Sequence, residues 1–280
     1  MIETVAIIGT GLIGASFGLA LKKAGFGGRI LGVSSPQAIE DALARGAIDR
    51  AAPLEEAAGQ ADLVYLSQTI SRILATLPEL ARSIRPGALV TDAGSTKAKI
   101  VKRAACLRGR AQFLGAHPMA GKETRGAAAA DADLFAGRTY LLTPEAAAEL
   151  ETPAAREFIE WLGKTGALPV ILSPAEHDRV VALTSHLPQL LSTSLAAVLA
   201  ERLTRPEHLR AGGPGLADMT RLAGSSWEIW EDILCTNRDA IGAALDECAE
   251  RLRAMRADLT GEVTRKTFES AADFSARLRR

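Results

Sequence analysis

Aromatic side chains are scarce in this sequence: seven Phe, three Trp and two Tyr, 4% of 280 residues. Its core must therefore be filled by Ala, Leu, Val and Ile, and hydrophobic residues do reach 48%. Net charge is missing as well, because 33 Lys and Arg balance 33 Asp and Glu. With no global field to attract nucleic acid or an acidic membrane, any anion site must be local. The three cysteines, Cys106, Cys235 and Cys248, form neither a CxxC pair nor a Cys/His ladder. That argues against a disulfide framework and a structural zinc, and no metal is expected. No run approaches the ~20 apolar residues needed to cross a bilayer. The apolar first 25 residues carry Glu3 where a signal peptide is basic, and Gly9, Gly11 and Gly14 interrupt them. A cytoplasmic location is the expectation.

What is present is a change of period along the chain. Apolar β-rich runs at 4–9, 29–33, 62–66, 88–92, 111–115, 138–143 and 167–172 alternate with helical spacing at 12–23, 36–45, 70–84 and 96–105. Alternating strands and helices predict a doubly wound, largely parallel α/β sheet with helices on both faces. After Ser173-Pro174 no strand pattern follows, and helices are predicted over about 175–203, 226–255 and 259–279. The segment 205–215, rich in Gly and Pro, reads as a loop, and Ser225 with Glu228 as a capping box. Two domains are expected: a dinucleotide-binding domain over 1–173 and a helical substrate and dimerisation domain over 174–280. Long apolar helices in a small domain want a cover, so a homodimer through the helical half is predicted.

The first strand runs into Gly9-Thr10-Gly11-Leu12-Ile13-Gly14, which opens a helix, with a second strand about 20 residues on. In that context GxGxxG is a dinucleotide fingerprint: Gly9 for the turn, Gly11 for the approach of a pyrophosphate, Gly14 for helix–strand packing. The helix N-terminus offers amides and a positive dipole end to the phosphates. An NAD-selective site has Asp or Glu at the end of the second strand, to bind the ribose 2′-hydroxyl. Here Ser34 and Ser35 stand there, so a 2′-phosphate is not repelled. NADP is the expected cofactor, with NAD the alternative.

Three further segments carry chemistry-bearing residues: DAGSTK (92–97), GAHPMAGK (115–122) and TSHLPQ (184–189). The first two follow predicted strands, so both are delivered to the carboxyl edge of the sheet where ligands bind. Together with GTGLIG, EHDRVVALTSHLP (176–188) and DMTRLAGSSWEIWEDI (218–233), they resemble the prephenate/arogenate dehydrogenases of tyrosine biosynthesis, over nearly the whole chain. The resemblance implies a Rossmann domain, a helical dimerisation domain, and oxidation with loss of carbon dioxide. Its 280 residues are expected to leave no room for a fused mutase or regulatory domain.

The resemblance makes His117 the catalytic histidine, with Ser95 orienting it. An imidazole suits the chemistry, because the substrate's ring hydroxyl must lose a proton as C–OH becomes C=O. Two substrate carboxylates call for cationic donors. Arg221 and His186 match substrate-binding residues of the family, and Lys122 is a further candidate at a position where many relatives have Thr or Ser. Gln189 departs from the family's usual His and is given no catalytic role. His177 and Asp178 are read as structural. At ~100° per residue, His177 and His186 on one α-helix face opposite ways, which argues against a shared metal. Arogenate in place of prephenate, and a non-catalytic NADP-binding regulator, remain the alternatives. A β-hydroxyacid dehydrogenase is disfavoured because 174–254 contains no lysine.

Overall fold

The computed structural model describes residues 1–279. They pack as two compact units, one of Met1–Val181 with Gly224–Asn237, the other of Ala182–Ala223 with the chain from Arg238 onward. The first unit begins with β1 (Thr4–Ile8), α1 (Leu12–Lys23), β2 (Arg29–Val33), α2 (Pro36–Ala44), β3 (Arg50–Ala51) and α3 (Leu54–Gln60). It continues with β4 (Leu63–Leu66), α4 (Ile70–Ser83), β5 (Leu89–Asp92), α5 (Ala98–Ala104) and β6 (Gln112–Pro118). Then come β7 (Thr139–Thr143), α6 (Pro153–Lys164), β8 (Leu168–Ile171) and α7 (Pro174–Val181). The second unit holds α8 (Leu187–Arg202), α9 (Pro206–Arg210) and α10 (Pro214–Thr220). After α11 (Trp227–Thr236), which belongs to the first unit, it resumes with α12 (Arg238–Ala257) and α13 (Glu262–Leu278).

The strands form one sheet in the order β3-β2-β1-β4-β5-β6-β7-β8. All neighbours are parallel except β6 and β7. Strand order reverses between β1 and β4, the position at which open α/β sheets form a ligand crevice. Every residue of β1, β4 and β5 is buried, which is why β1 and β4 read as near-continuous apolar runs instead of alternating. In α4 the buried Ile70, Ile73, Leu77 and Leu80 follow helical spacing. Pro78 inside that helix cannot donate to the Leu74 carbonyl, and the Arg103 Nε–H takes its place at 3.2 Å.

All but Phe268 and Phe274 of the few aromatics lie in the first unit. Phe17 stacks on Tyr65 with centroids 4.0 Å apart, and Phe135 lies 5.8 Å from Tyr140. The chain's two tyrosines are buried and hydrogen-bond each other at 2.9 Å, so neither hydroxyl is orphaned in an apolar core. Burial pushes both phenols above their ordinary range.

Several local expectations change. The 205–215 loop contains α9 and the start of α10, because Pro206 and Pro214 occupy first-turn positions where no N–H is needed. The N-cap of α11 is Ser226, one residue after the predicted capping Ser225. The 175–203 helix is interrupted by a π turn at Ala182–His186. Pro188 explains it: in a regular α-helix its ring would collide with the Thr184 carbonyl and leave it without a donor. The ~100° count between His177 and His186 therefore does not apply.

The second unit buries few apolar side chains of its own, chiefly Ala182, Ile241 and Ala244. Leu252, Leu259, Phe268, Phe274 and Leu278 on and around α12 and α13 are all more than half exposed.

Candidate active site

β1 delivers its chain end to the crevice at Gly9, whose φ of +98° only glycine adopts without strain. A Cβ on Gly14 would sit 2.1 Å from the Gly9 carbonyl oxygen and 2.5 Å from Ser67 Oγ, so α1 can approach the strand only without one. A Cβ on Gly11 meets nothing within 4 Å, which leaves that backbone open to a ligand. The Ser67 hydroxyl, at the end of β4, donates to the Gly9 carbonyl at 2.7 Å and pins the turn. The Thr10 hydroxyl is spent on the Ala38 carbonyl at 3.0 Å, so only its backbone faces a ligand's needs. Leu12 and Ile13 are half-buried in the first turn of α1, whose leading amides have no intrahelical acceptor. This cradle fits a pyrophosphate. Ser34 and Ser35 are exposed where β2 ends, and Ser35 caps α2 through its backbone alone.

Beside the glycine turn lies a cavity of about 230 Å³ lined by Ile13, Ser67, Gln68, Thr69, Ile70, Ala93, Gly94 and Ser95. Ile229, Asp232 and Ile233 of α11 close it. Three contacts hold α11 there: the Ser71 N–H donates to Asp232 Oδ2 at 2.8 Å, Lys99 Nζ donates to the Cys235 carbonyl at 2.7 Å, and the Thr96 and Thr236 hydroxyls meet at 2.8 Å. Sequence reasoning placed this helix wholly in the helical domain and missed its role as a wall. A larger open groove of about 1250 Å³, lined by Arg29, Glu157, Trp161 and Lys164 among others, lies at the amino ends of β1 and β2. It is remote from every motif singled out above, so chain topology, not size, locates the site.

His117 is on β6 itself, not in a loop after it. The strand expected to stop at Gly115 runs on to Pro118, because its last four residues pair antiparallel with β7 while its first three pair with β5. The side chain is only 8% exposed. Its Nδ1 lies 2.9 Å from His177 Nε2, and His177 Nδ1 lies 2.8 Å from Asp178 Oδ1. Asp178 in turn accepts the Lys97 N–H at 2.7 Å and the Ala98 N–H at 2.9 Å, at the start of α5. Its backbone carbonyl takes the Asn237 side-chain amide at 2.7 Å. Burial raises the Asp178 carboxyl, but hydrogen bonds from His177, Ala98 and Lys97 together outweigh it and hold the group below the ordinary carboxylate range. Burial pushes the His177 imidazole down, with the Asp178 hydrogen bond opposing. His177, read from the sequence as structural, abuts the candidate catalytic histidine, and Asp178 lies one hydrogen bond further on.

Below this chain lies a fully buried ion pair of Lys97 and Asp92. Lys97 Nζ also donates to the Ala116 carbonyl at 2.7 Å, and Asp92 accepts the Gly94 N–H at 2.8 Å and the Ala116 N–H at 3.2 Å. The residue beside His117 is therefore held through both its backbone groups. Burial pushes the Lys97 ammonium down, and the charges of Asp92 and Asp178 pull it back. DAGSTK was legible as a cleft segment, but nothing local marks Lys97 as buried.

Ser95 is half-buried in the cavity wall. Lys122 is exposed and paired with Asp131 at 2.9 Å. In the second unit, His186 is buried in the π turn and Arg221 is exposed at the end of α10. Gln189 donates to the Leu222 carbonyl at 2.7 Å, so it anchors the residue next to Arg221.

Comparison with known proteins adds a lineage to this geometry. Residues 17–171 match the family model described as prephenate dehydrogenase, nucleotide-binding domain, and 173–270 match prephenate dehydrogenase, dimerization domain. A prephenate dehydrogenase of Bacillus subtilis is 37% identical over 98% of this chain and 76% of its own. The structure of A. aeolicus prephenate dehydrogenase with hydroxyphenyl propionate and NAD+ superposes with a TM-score of 0.83 at 27% identity, covering 100% of this chain and 96% of that one. Synechocystis arogenate dehydrogenase gives 0.80 at 27% identity, covering 98% and 99%.

Proposed function

The chain belongs to the prephenate dehydrogenase family, and we propose that it converts prephenate to 4-hydroxyphenylpyruvate in tyrosine biosynthesis. The observation that carries this reading is His117, held by buried neighbours at the carboxyl end of β6, in the same sheet whose β1 runs into the dinucleotide cradle. Gly9 to Gly14, with Thr10, Leu12 and Ile13 between them, hold the dinucleotide, which supplies the hydride acceptor when bound. His117 accepts the proton of the substrate's ring hydroxyl as that carbon becomes a carbonyl and carbon dioxide leaves. Ser95, in the wall of the cavity beside the glycine turn, orients the histidine or the hydroxyl.

The guanidinium of Arg221 binds a substrate carboxylate, and His186 makes a further substrate contact. Lys122 serves as a second carboxylate contact only by leaving Asp131. Exposed Ser34 and Ser35, with no carboxylate at the end of β2, favour NADP over NAD. We place the functional boundary at 173/174, and the exposed apolar side chains of α12 and α13 form the homodimer contact in a cytoplasmic enzyme. Likeness to an arogenate dehydrogenase supports a second reading, with arogenate as the substrate.

The test is His117→Asn. A fall in kcat of roughly 10²–10⁴-fold with cofactor affinity preserved is expected; near-normal turnover removes His117 from the mechanism.

A further inference from the structure

A buried imidazole and carboxylate stand behind His117, and the proton acceptance described above leaves them without a task. We propose that His177 and Asp178 are positioning residues that set the tautomer of His117, so that its Nε2 carries the lone pair that receives the substrate's proton. This rests on the reading of His117 as the proton acceptor.

The assignment follows from which atoms can donate. Asp178 is ionised, and a carboxylate only accepts hydrogen bonds. It already takes the backbone N–H groups of Lys97 and Ala98, so the third partner at Oδ1, His177 Nδ1, must carry its hydrogen. His177 is neutral: it is fully buried, and the Lys97 ammonium opposes a second proton on its ring. A neutral imidazole with hydrogen on Nδ1 has its lone pair on Nε2. That atom lies 2.9 Å from His117 Nδ1, which must therefore donate. Neutral His117 is then left with its lone pair on Nε2. The order of protons is dictated from the carboxylate outward. When Nε2 takes the hydroxyl proton, the resulting imidazolium keeps its Nδ1–H on His177 and gains the nearby carboxylate charge. Both effects favour the protonated product over a histidine left to rotate.

The sequence contains four histidines, His117, His177, His186 and His208, so imidazole nitrogens labelled with ¹⁵N can be assigned one by one in the unmodified protein. The expected spectrum at neutral pH has a protonated Nδ1 and a bare Nε2 on both His117 and His177. Hydrogen on His117 Nε2 in the neutral ring would overturn the proposal, whatever the activity. Kinetics supply the second arm. His177→Leu, which removes the acceptor, is expected to lower kcat about 10-fold or more, with the KM for substrate changed less than about 2-fold. His177→Gln places an amide oxygen near the lost Nε2 and is expected to recover most of that loss. Equal rates for the Leu and Gln variants would show that His177 does not act as an acceptor. The spectrum and the turnover of His117→Asn fail independently, so loss of the tautomer assignment is distinguishable from loss of the catalytic reading.

Discussion

Lys97→Met tests whether the buried ion pair holds the strand that carries His117. Methionine keeps the apolar stem and removes the ammonium, which donates to Asp92 and to the Ala116 carbonyl. Asp92 retains the N–H groups of Gly94 and Ala116, so it is solvated in part, but its charge has lost its cation at zero exposure. Breaking a buried pair in this way costs about 3–5 kcal/mol. For a chain of this size that lowers Tm by roughly 6–20 °C. Urea unfolding of parent and variant at pH 8 measures the loss. A loss below about 1 kcal/mol would refute the reasoning.

Two further outcomes concern the cofactor. Gly14→Ala forces a methyl against the Gly9 carbonyl at 2.1 Å, so α1 must move away from the turn; titration should show dinucleotide affinity falling about 10-fold, with stability down about 1–3 kcal/mol. Ser34→Asp places a carboxylate where a 2′-phosphate is expected, so kcat/KM ratios should shift towards NAD, and an unchanged ratio would displace Ser34 from the ribose site.

How much of this was legible in the sequence depends on how local each feature is. β1 and β2, the glycine turn and the switch to helices after Ser173 are written in short windows of residue type. The end of β6 is not: Gly115 and Pro118 look like a turn, and only pairing with β7, more than twenty residues away, keeps the strand going to His117. The π turn escaped because a periodicity count assumes a regular helix, although Pro188 was the signal that one could not persist. Lys97 and Asp178 were missed for a common reason. A charged residue is buried only when partners from other elements converge on it, here Asp92 from β5, the Ala116 carbonyl from β6 and the α5 amides. The adjacent His-Asp pair was the one available hint, since neighbouring residues of those types can form an imidazole–carboxylate contact.

The measurement closest to the central claim is reduced-nicotinamide absorbance with the purified protein and four combinations: prephenate or arogenate, each with NADP or NAD. The account predicts turnover with prephenate, faster with NADP than with NAD, and released carbon dioxide in step with the absorbance. No turnover with either substrate by a protein that still binds the dinucleotide would contradict it.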